Sequence, residues 1–247
     1  MSDPTGSVVE MPGERSSLGL SEPASAPIEL PGGAWALFTE RSHGNLSSVA
    51  GPDRYEALSA RERLRERCGV QALVRGYQVH GSAVARVFRD GSRHVPGRDD
   101  VEVDVCAILD SSQQPRLQVD GHAVAAPGVG AMAMVADCVP VVLAARGAVA
   151  ALHAGWRGLA GGVLEEGVRA LREVGGEPPI VAVVGPCAGG CCYEVGEEVH
   201  AAFGAALDGP AAPLDRPDDA ASHERGAPLA RLRAPIDLRS IAHRRLH

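Results

Sequence analysis

The sequence predicts an α+β fold, a layered αββα-type sandwich with mixed sheets in a single domain. Three observations lead there. Apolar runs at 131-AMAMVA-136, 139-VPVVLAA-145, 148-AVAALHA-154 and 180-IVAVVG-185 are short and bounded by breakers, as buried strands are. Helical patterns at 56-EALSARERLRERC-68 and 159-LAGGVLEEGVRALREV-174 supply layers to cover them. Strands and helices do not alternate strictly, which argues against a doubly wound parallel sheet.

The elements follow in chain order. Residues 1 to about 30 are rich in Ser, Pro, Gly and Glu, the composition of a disordered leader ahead of one domain over 31–247. A short strand is expected at 34-AWALFT-39, then the helix over 56–68, closed by Gly69. Its run 61-RERLRERC-68 alternates Arg with Glu and reads as a solvated face. Strand-like segments follow at 71–78, 83-AVARVF-88 and 101-VEVDVCAIL-109, then a loop with a short strand at 110-DSSQQPRLQVDG-121. After the three apolar runs, the helix over 159–174 ends at Gly175-Gly176. The strand 180–185 leads into the loop 186-PCAGGCCYE-194 and a helix at about 195–207. Residues 208–228 are Pro/Asp/Ala-rich and read as an exposed loop. In 235-PIDLRSIAHRRL-246, Pro at a helix start precedes apolar residues at helical spacing.

Composition excludes several classes. With 247 residues and 45% apolar content the chain can bury a sizeable core. No apolar run approaches the ~18 residues of a membrane span. The first residues, MSDPTGSVVEMPGERSS, lack the basic and apolar blocks of a secretory signal. All 24 basic residues are arginine, which rules out a Schiff-base or P-loop lysine. A net charge of −7 with scattered arginines argues against nucleic acid. Cysteines at 68, 106, 138, 187, 191 and 192, with no export signal, read as reduced thiols of a cytoplasmic protein.

Chemistry gathers around one hairpin. If Arg146-Gly147 is a tight turn, residue i faces residue 293 − i, so His153 faces Pro140 and Cys138 faces Gly155. Residues so related share a face, which brings Cys138 and His153 to one side of the hairpin's open end. His80 ends another apolar strand before a glycine, in 77-YQVHGSAV-84. Two histidines and a cysteine form a normal zinc set that leaves a fourth position open; a satisfied core histidine and a small buried cysteine are the alternatives. Asp137, on the opposite face from Cys138, either orients a neighbouring group or caps the strand end. Arg157, before Gly158 at a helix start, is an anion site or a surface charge. Trp156 either stacks on a planar ligand or plugs the core. The three cysteines of 186–194 bind metal, pair, or simply fit a tight glycine loop.

The segments 77-YQVHG-81, 136-ADCVPVVLA-144, 152-LHAGWRGLAGG-162 and 184-VGPCAGGCCYEVG-196 resemble, in order and spacing, the bacterial laccase-domain family. Its members are also described as polyphenol oxidases, purine nucleoside phosphorylases and peptidoglycan editing factors. The resemblance covers roughly 34–246 and makes the domain a laccase-like catalytic one. It implies zinc on His80, Cys138 and His153, with Arg157 framing an anion or substrate pocket. It further implies phosphorolysis of adenosine, inosine and methylthioadenosine, and deamination of adenosine. The partners are then a purine nucleoside and phosphate, with no nucleic acid or membrane; the oligomeric state is not implied. Cys138, Arg157 and Asp137 are the catalytic candidates, and Arg41 and Asn45 the candidate substrate contacts.

Three departures stand out. The stretch 39-TERSHGNLSS-48, which carries Arg41 and Asn45, is compressed relative to the family. Ala188 and Gly190 alter the cysteine loop. The chain stops at His247, where family members continue with another strand, so reduced activity is expected. Copper is the competing metal, since two histidines and a cysteine also suit a copper-dependent polyphenol oxidase. A metal-free hydrolase editing peptidoglycan precursors, with Cys138 as nucleophile and His153 as base, is a second competitor. A non-catalytic binding protein is the third.

Overall fold

The computed structural model describes residues 7–10, 26–47, 54–95, 117–204 and 234–246. The centre is a mixed sheet of seven strands in the order β1-β11-β9-β10-β7-β5-β6. These are β1 (Ser7–Glu10), β5 (Val84–Val87), β6 (Arg93–His94), β7 (Gly121–Val124), β9 (Val139–Arg146), β10 (Ala148–Ala154) and β11 (Glu177–Val184). Three two-stranded pairs accompany it: β2 (Ile28–Leu30) with β3 (Ala34–Ala36), β4 (Ala72–Val74) with β8 (Val129–Ala131), and β12 (Glu194–Val195) with β13 (Ala234–Pro235). The helices are α1 (Arg54–Arg67), α2 (Trp156–Ala160), α3 (Val163–Glu173), α4 (Glu197–Phe203) and α5 (Leu238–Leu246).

Alternation along the strands decides the layers. Val139, Val141, Leu143 and Leu152 face one side and pack with Leu164 and Leu171 of α3 and Ile241 of α5. The opposite side presents Ala144 and Val183 to Leu30 and Ala36 of the β2–β3 hairpin. It also sets Val87 and Val124 against Val74. The result is a single mixed α/β domain, and the expected layered class holds. Helix α3 fits because its buried positions, Val163, Leu164, Gly167, Ala170 and Leu171, form one stripe. Gly167 is part of the fit: a Cβ there would collide with the Leu152 side chain, so the helix needs a residue without one at this position.

The core also holds a cation. Arg86 is buried on β5, where Nη1 donates to Glu166 (2.6 Å) and Nε to Glu173 (2.7 Å), both on α3. A third bond, from Nη1 to the Val84 carbonyl, completes its partners. Removing the guanidinium leaves Glu166 with Arg169 alone and opens a buried cavity, which an apolar chain of similar volume would fill. Arg86→Ala is therefore expected to cost about 3–5 kcal/mol, read as a lower urea midpoint, with Arg86→Met losing less.

The hairpin follows the expected register. Strand β10 pairs with β9 so that His153 meets Pro140 and Ala154 meets Val139, with Gly147 at φ 86° in the turn. Elsewhere the structure corrects the sequence reading. The run 131–136 is not a strand: β8 ends at Ala131, and beyond it the Gln78 side chain replaces a ladder partner. Its Nε2 donates to the Met134 carbonyl, and its Oε1 accepts from the Met134 N–H. The helix expected over 159–174 is two helices, because Gly162 adopts φ 86° between them. The last helix begins at Leu238, not at Pro235, which belongs to β13; Asp237 caps it by accepting from Ser240. Strand β7, fully buried between β10 and β5, lies where no strand was expected. Arg61 departs from the solvated face and is buried, donating to the Leu46 carbonyl. Within the stretch expected to be a disordered leader, Ser7–Glu10 forms an edge strand parallel to β11, and Ile28–Leu30 is paired. The strand expected at 101–109 and the loop at 208–228 lie outside the described residues. Among the described residues no helix is long and apolar enough to cross a membrane.

Candidate metal centre

Three elements deliver the three residues. Cys138 precedes β9, His153 is the penultimate residue of β10, and His80 follows the extended segment after β4. One ligand atom from each lies within 4.8 Å of the others. The His80 and His153 rings meet edge to face, with centroids 4.7 Å apart. Burial is graded: His153 is buried, Cys138 half-buried and His80 exposed, so the group opens to solvent on the His80 side.

Asp120 holds the arrangement together. It is 1% exposed, at the residue before β7. One carboxylate oxygen meets Nδ1 of His153 at 2.8 Å and accepts from the His80 N–H at 2.9 Å. The other accepts from the Gly81 N–H at 2.8 Å and the Val79 N–H at 3.3 Å. Three successive N–H groups converge on one anion because His80 adopts φ 61°, the left-handed conformation that folds a strand end into a nest. Such a φ costs a non-glycine residue about 1–2 kcal/mol, which the bonds to Asp120 offset. One carboxylate thus fixes one histidine by its ring and the other by its backbone. With Nδ1 engaged, Nε2 of His153 is the atom left to face Cys138 and His80.

Electrostatics agree with a cation site. Burial pulls the His153 imidazole down, but its hydrogen bonds with Asp120 and Cys138 prevail and push it up to about 9. Burial, the neighbouring His153 and Arg157 all lower His80, against the pull of Asp120, which favours the neutral ring that a metal needs. The Asp120 carboxyl is raised by burial and lowered more by His153 and the Gly81 and Val79 N–H groups, for a net fall. The Asp120 carboxylate favours positive charge at the centre of these side chains, which a proton or a metal can supply.

The glycines around the group are close-fitting. A Cβ on Gly155 would stand 2.9 Å from the His80 ring and 3.2 Å from the Cys138 sulfur. One on Gly158 would stand 2.7 Å from the Gly81 carbonyl. The motif that carries His153 is therefore glycine-rich because the segment bearing His80 lies directly upon it.

The remaining candidates separate. Arg157 is exposed on α2, its guanidinium 4.2 Å over the Trp156 ring, and its charge reaches both His80 and Tyr193. Trp156 packs partly buried against the core. Asp137 is exposed; its backbone carbonyl accepts from the Ala188 N–H and ties the cysteine loop to the start of β9. Its charge falls on Tyr193, whose phenol is raised by burial, Cys138 and Asp137. Arg41 and Asn45 lie elsewhere, on the wall of a cavity of about 1080 Å³ that also includes Phe38, Met134 and Val149. None of the three potential ligands lines that cavity, although Ala136, Pro140 and Leu152 do. This cavity and the reactive side chains are thus neighbours rather than one site, and the side chains mark the chemistry. Sequence reasoning missed Asp120 and Tyr193. Asp120 stood in an apparent loop, and only its place before a glycine and a buried histidine hinted otherwise.

Residues 37–247 match the family described as multi-copper polyphenol oxidoreductase laccase. A Streptomyces coelicolor protein named purine nucleoside phosphorylase is 36% identical over 184 residues, 68% of this chain and 67% of that protein. One of the same name from Xylella fastidiosa is 35% identical over 176 residues, 70% of this chain. The chain spans only 60% of that relative's length. Among solved structures, YlmD from Geobacillus stearothermophilus superposes with a TM-score of 0.59 at 27% identity, over 82% of this chain and 68% of that one. With most of its length matched in sequence and its fold shared with a solved relative, the chain belongs to the laccase-like multi-copper polyphenol oxidoreductase family.

Proposed function

We propose that the folded domain, over 31–247, is a zinc-dependent purine nucleoside phosphorylase that takes adenosine, inosine and methylthioadenosine and also deaminates adenosine. The observation that carries this is the His80–Cys138–His153 group, backed by the Asp120 carboxylate and open on the His80 side. The relatives named purine nucleoside phosphorylase supply the substrate class. The donor set fits zinc: two imidazoles and a thiolate leave one position free, and the carboxylate behind His153 is the usual partner of a ligating histidine. Bound zinc would supply a Lewis acid beside the nucleoside. Asp120 keeps His153 in the tautomer that ligates and holds the His80 backbone against it. Arg157, at the mouth, pairs with phosphate and positions it for attack at the anomeric carbon. Asp137 and Tyr193 border the same opening, while Arg41 and Asn45, on the neighbouring cavity, would contact only a part of the substrate that extends there.

Protein purified without added metal is expected to carry about one zinc per chain. Cys138→Ala should lose most of it; full occupancy in that variant removes the assignment. Incubation with adenosine should release base only when phosphate is present, and hypoxanthine-containing products should report deamination. No product from zinc-loaded protein would overturn the reading. Arg157→Ala should raise the phosphate KM about tenfold or more while zinc content holds, since one charge-assisted contact is worth about 1.5–3 kcal/mol.

Two observations favour other readings. The family's description names copper, and the ligand set also suits that metal. Among the described residues, however, one such His/Cys group is present, where a multi-copper centre needs several. The hydrogen-bonded series Cys138, His153, Asp120 also has the order of a nucleophile, base and orienting acid. A thiol-dependent hydrolase of that kind would keep its activity after metal is removed by a chelator, and the phosphorylase would not.

A further inference from the structure

The loop after β11 carries a feature that the metal centre does not use. Its apex holds two adjacent cysteines, Cys191 and Cys192, both exposed, with their sulfurs 2.9 Å apart. The backbone around them is fixed at several points. The Cys192 and Tyr193 N–H groups both donate to the Gly189 carbonyl, the Ala188 N–H donates to Asp137, and the Ile236 N–H donates to the Tyr193 carbonyl. Gly190 is held as closely, since a Cβ there would stand 3.1 Å from Asp237. The loop therefore turns two neighbouring thiols toward each other, a direction their sequence adjacency does not by itself impose.

We propose that Cys191 and Cys192 form a vicinal dithiol site for a thiophilic electrophile that accepts two sulfur ligands side by side, namely trivalent arsenic. This rests on the loop alone and stands apart from the phosphorylase reading. With phenylarsine oxide the arsenic–oxygen bonds are replaced by two arsenic–sulfur bonds, and both thiol protons leave with the oxygen as water. Arsenic stays trivalent, so no oxidant or reductant is needed. Both sulfurs face solvent, so the electrophile reaches them without opening the core. Closing the second bond is intramolecular between groups the turn has already gathered, an advantage of about 10²–10⁴ over two separate thiols. Cys68, Cys138 and Cys187 are partly buried and, unlike this pair, are not neighbours in sequence.

The test uses the full chain, reduced with a phosphine and given equimolar phenylarsine oxide, followed by intact-mass measurement during titration with a monothiol. One adduct per chain is expected, removed readily by 2,3-dimercaptopropanol. The monothiol concentration that strips it should be roughly 100-fold higher than for Cys191→Ser or Cys192→Ser. Cys187→Ser, which alters the other thiol of the loop, should behave as the parent chain. Absence of a monothiol-resistant adduct overturns the proposal. So does an adduct that keeps the parent's monothiol resistance in Cys191→Ser or loses it in Cys187→Ser, since either places the arsenic on other sulfurs.

Discussion

Asp120→Ala is expected to be among the most damaging single changes in this chain. It strands the N–H groups of Val79, His80 and Gly81 and leaves Nδ1 of the buried His153 ring without its partner. Breaking a buried charged network of this kind costs about 3–5 kcal/mol, or roughly 6–20 °C in Tm for a domain of this size. Zinc affinity should fall a further 10–100-fold, the usual effect of losing the carboxylate behind a ligating histidine. Differential scanning fluorimetry and competition with a chromogenic chelator measure the two separately. A variant that melts and binds zinc like the parent would show that Asp120 positions neither histidine.

The same pair sets a pH dependence in the metal-free chain. His153 is raised to about 9 from 6.5, so its contribution to stability is complete below pH 6.5 and is lost as the pH climbs through 9. Asp120 is depressed below 3.8, so its contribution holds above that value and is lost as pH falls further. Stability of the metal-free protein should therefore decline between pH 6.5 and 9, and the decline should flatten in Asp120→Asn. Metal must displace the His153 proton, so loading in that range releases acid.

Gly155→Ala should separate ligation from folding. Gly155 has φ −70° and ψ 166°, which alanine adopts without strain, so the backbone loses nothing. The added methyl would stand 2.9 Å from the His80 ring and 3.2 Å from the Cys138 sulfur and must push both away. Metal affinity is expected to fall at least tenfold, about 1.4 kcal/mol, while the metal-free melting temperature moves by only a few degrees. Unchanged affinity would mean that the ligands relax around the methyl at no cost.

How much of this was legible in the sequence depends on range. Gly147 and two short apolar runs bounded by breakers are local signals, and they sufficed to place Cys138 and His153 on one face in the observed register. The fold class followed from the same short apolar runs. Asp120 was illegible because its bonds reach back about forty residues to His80 and forward thirty-three to His153, across elements whose pairing no local pattern states. Strand β7 was missed for a related reason: Gly121–Val124 is short, buried on both faces and contains a histidine, so neither alternation nor apolar bulk marked it. Arg61 read as part of a solvated face because its partner comes from another segment. Arg41 and Asn45, placed by resemblance alone, line the large cavity and not the metal group.

The hairpin register has a consequence for inheritance. Side chains on a strand change face with every residue, so the distance in sequence between Cys138 and His153 acts as a ruler with no tolerance. A single residue inserted or lost between them would turn one of the two to the helical face of the sheet, however well the strands still paired. Among descendants of this chain, the span from Cys138 to His153 should therefore be passed on at constant length.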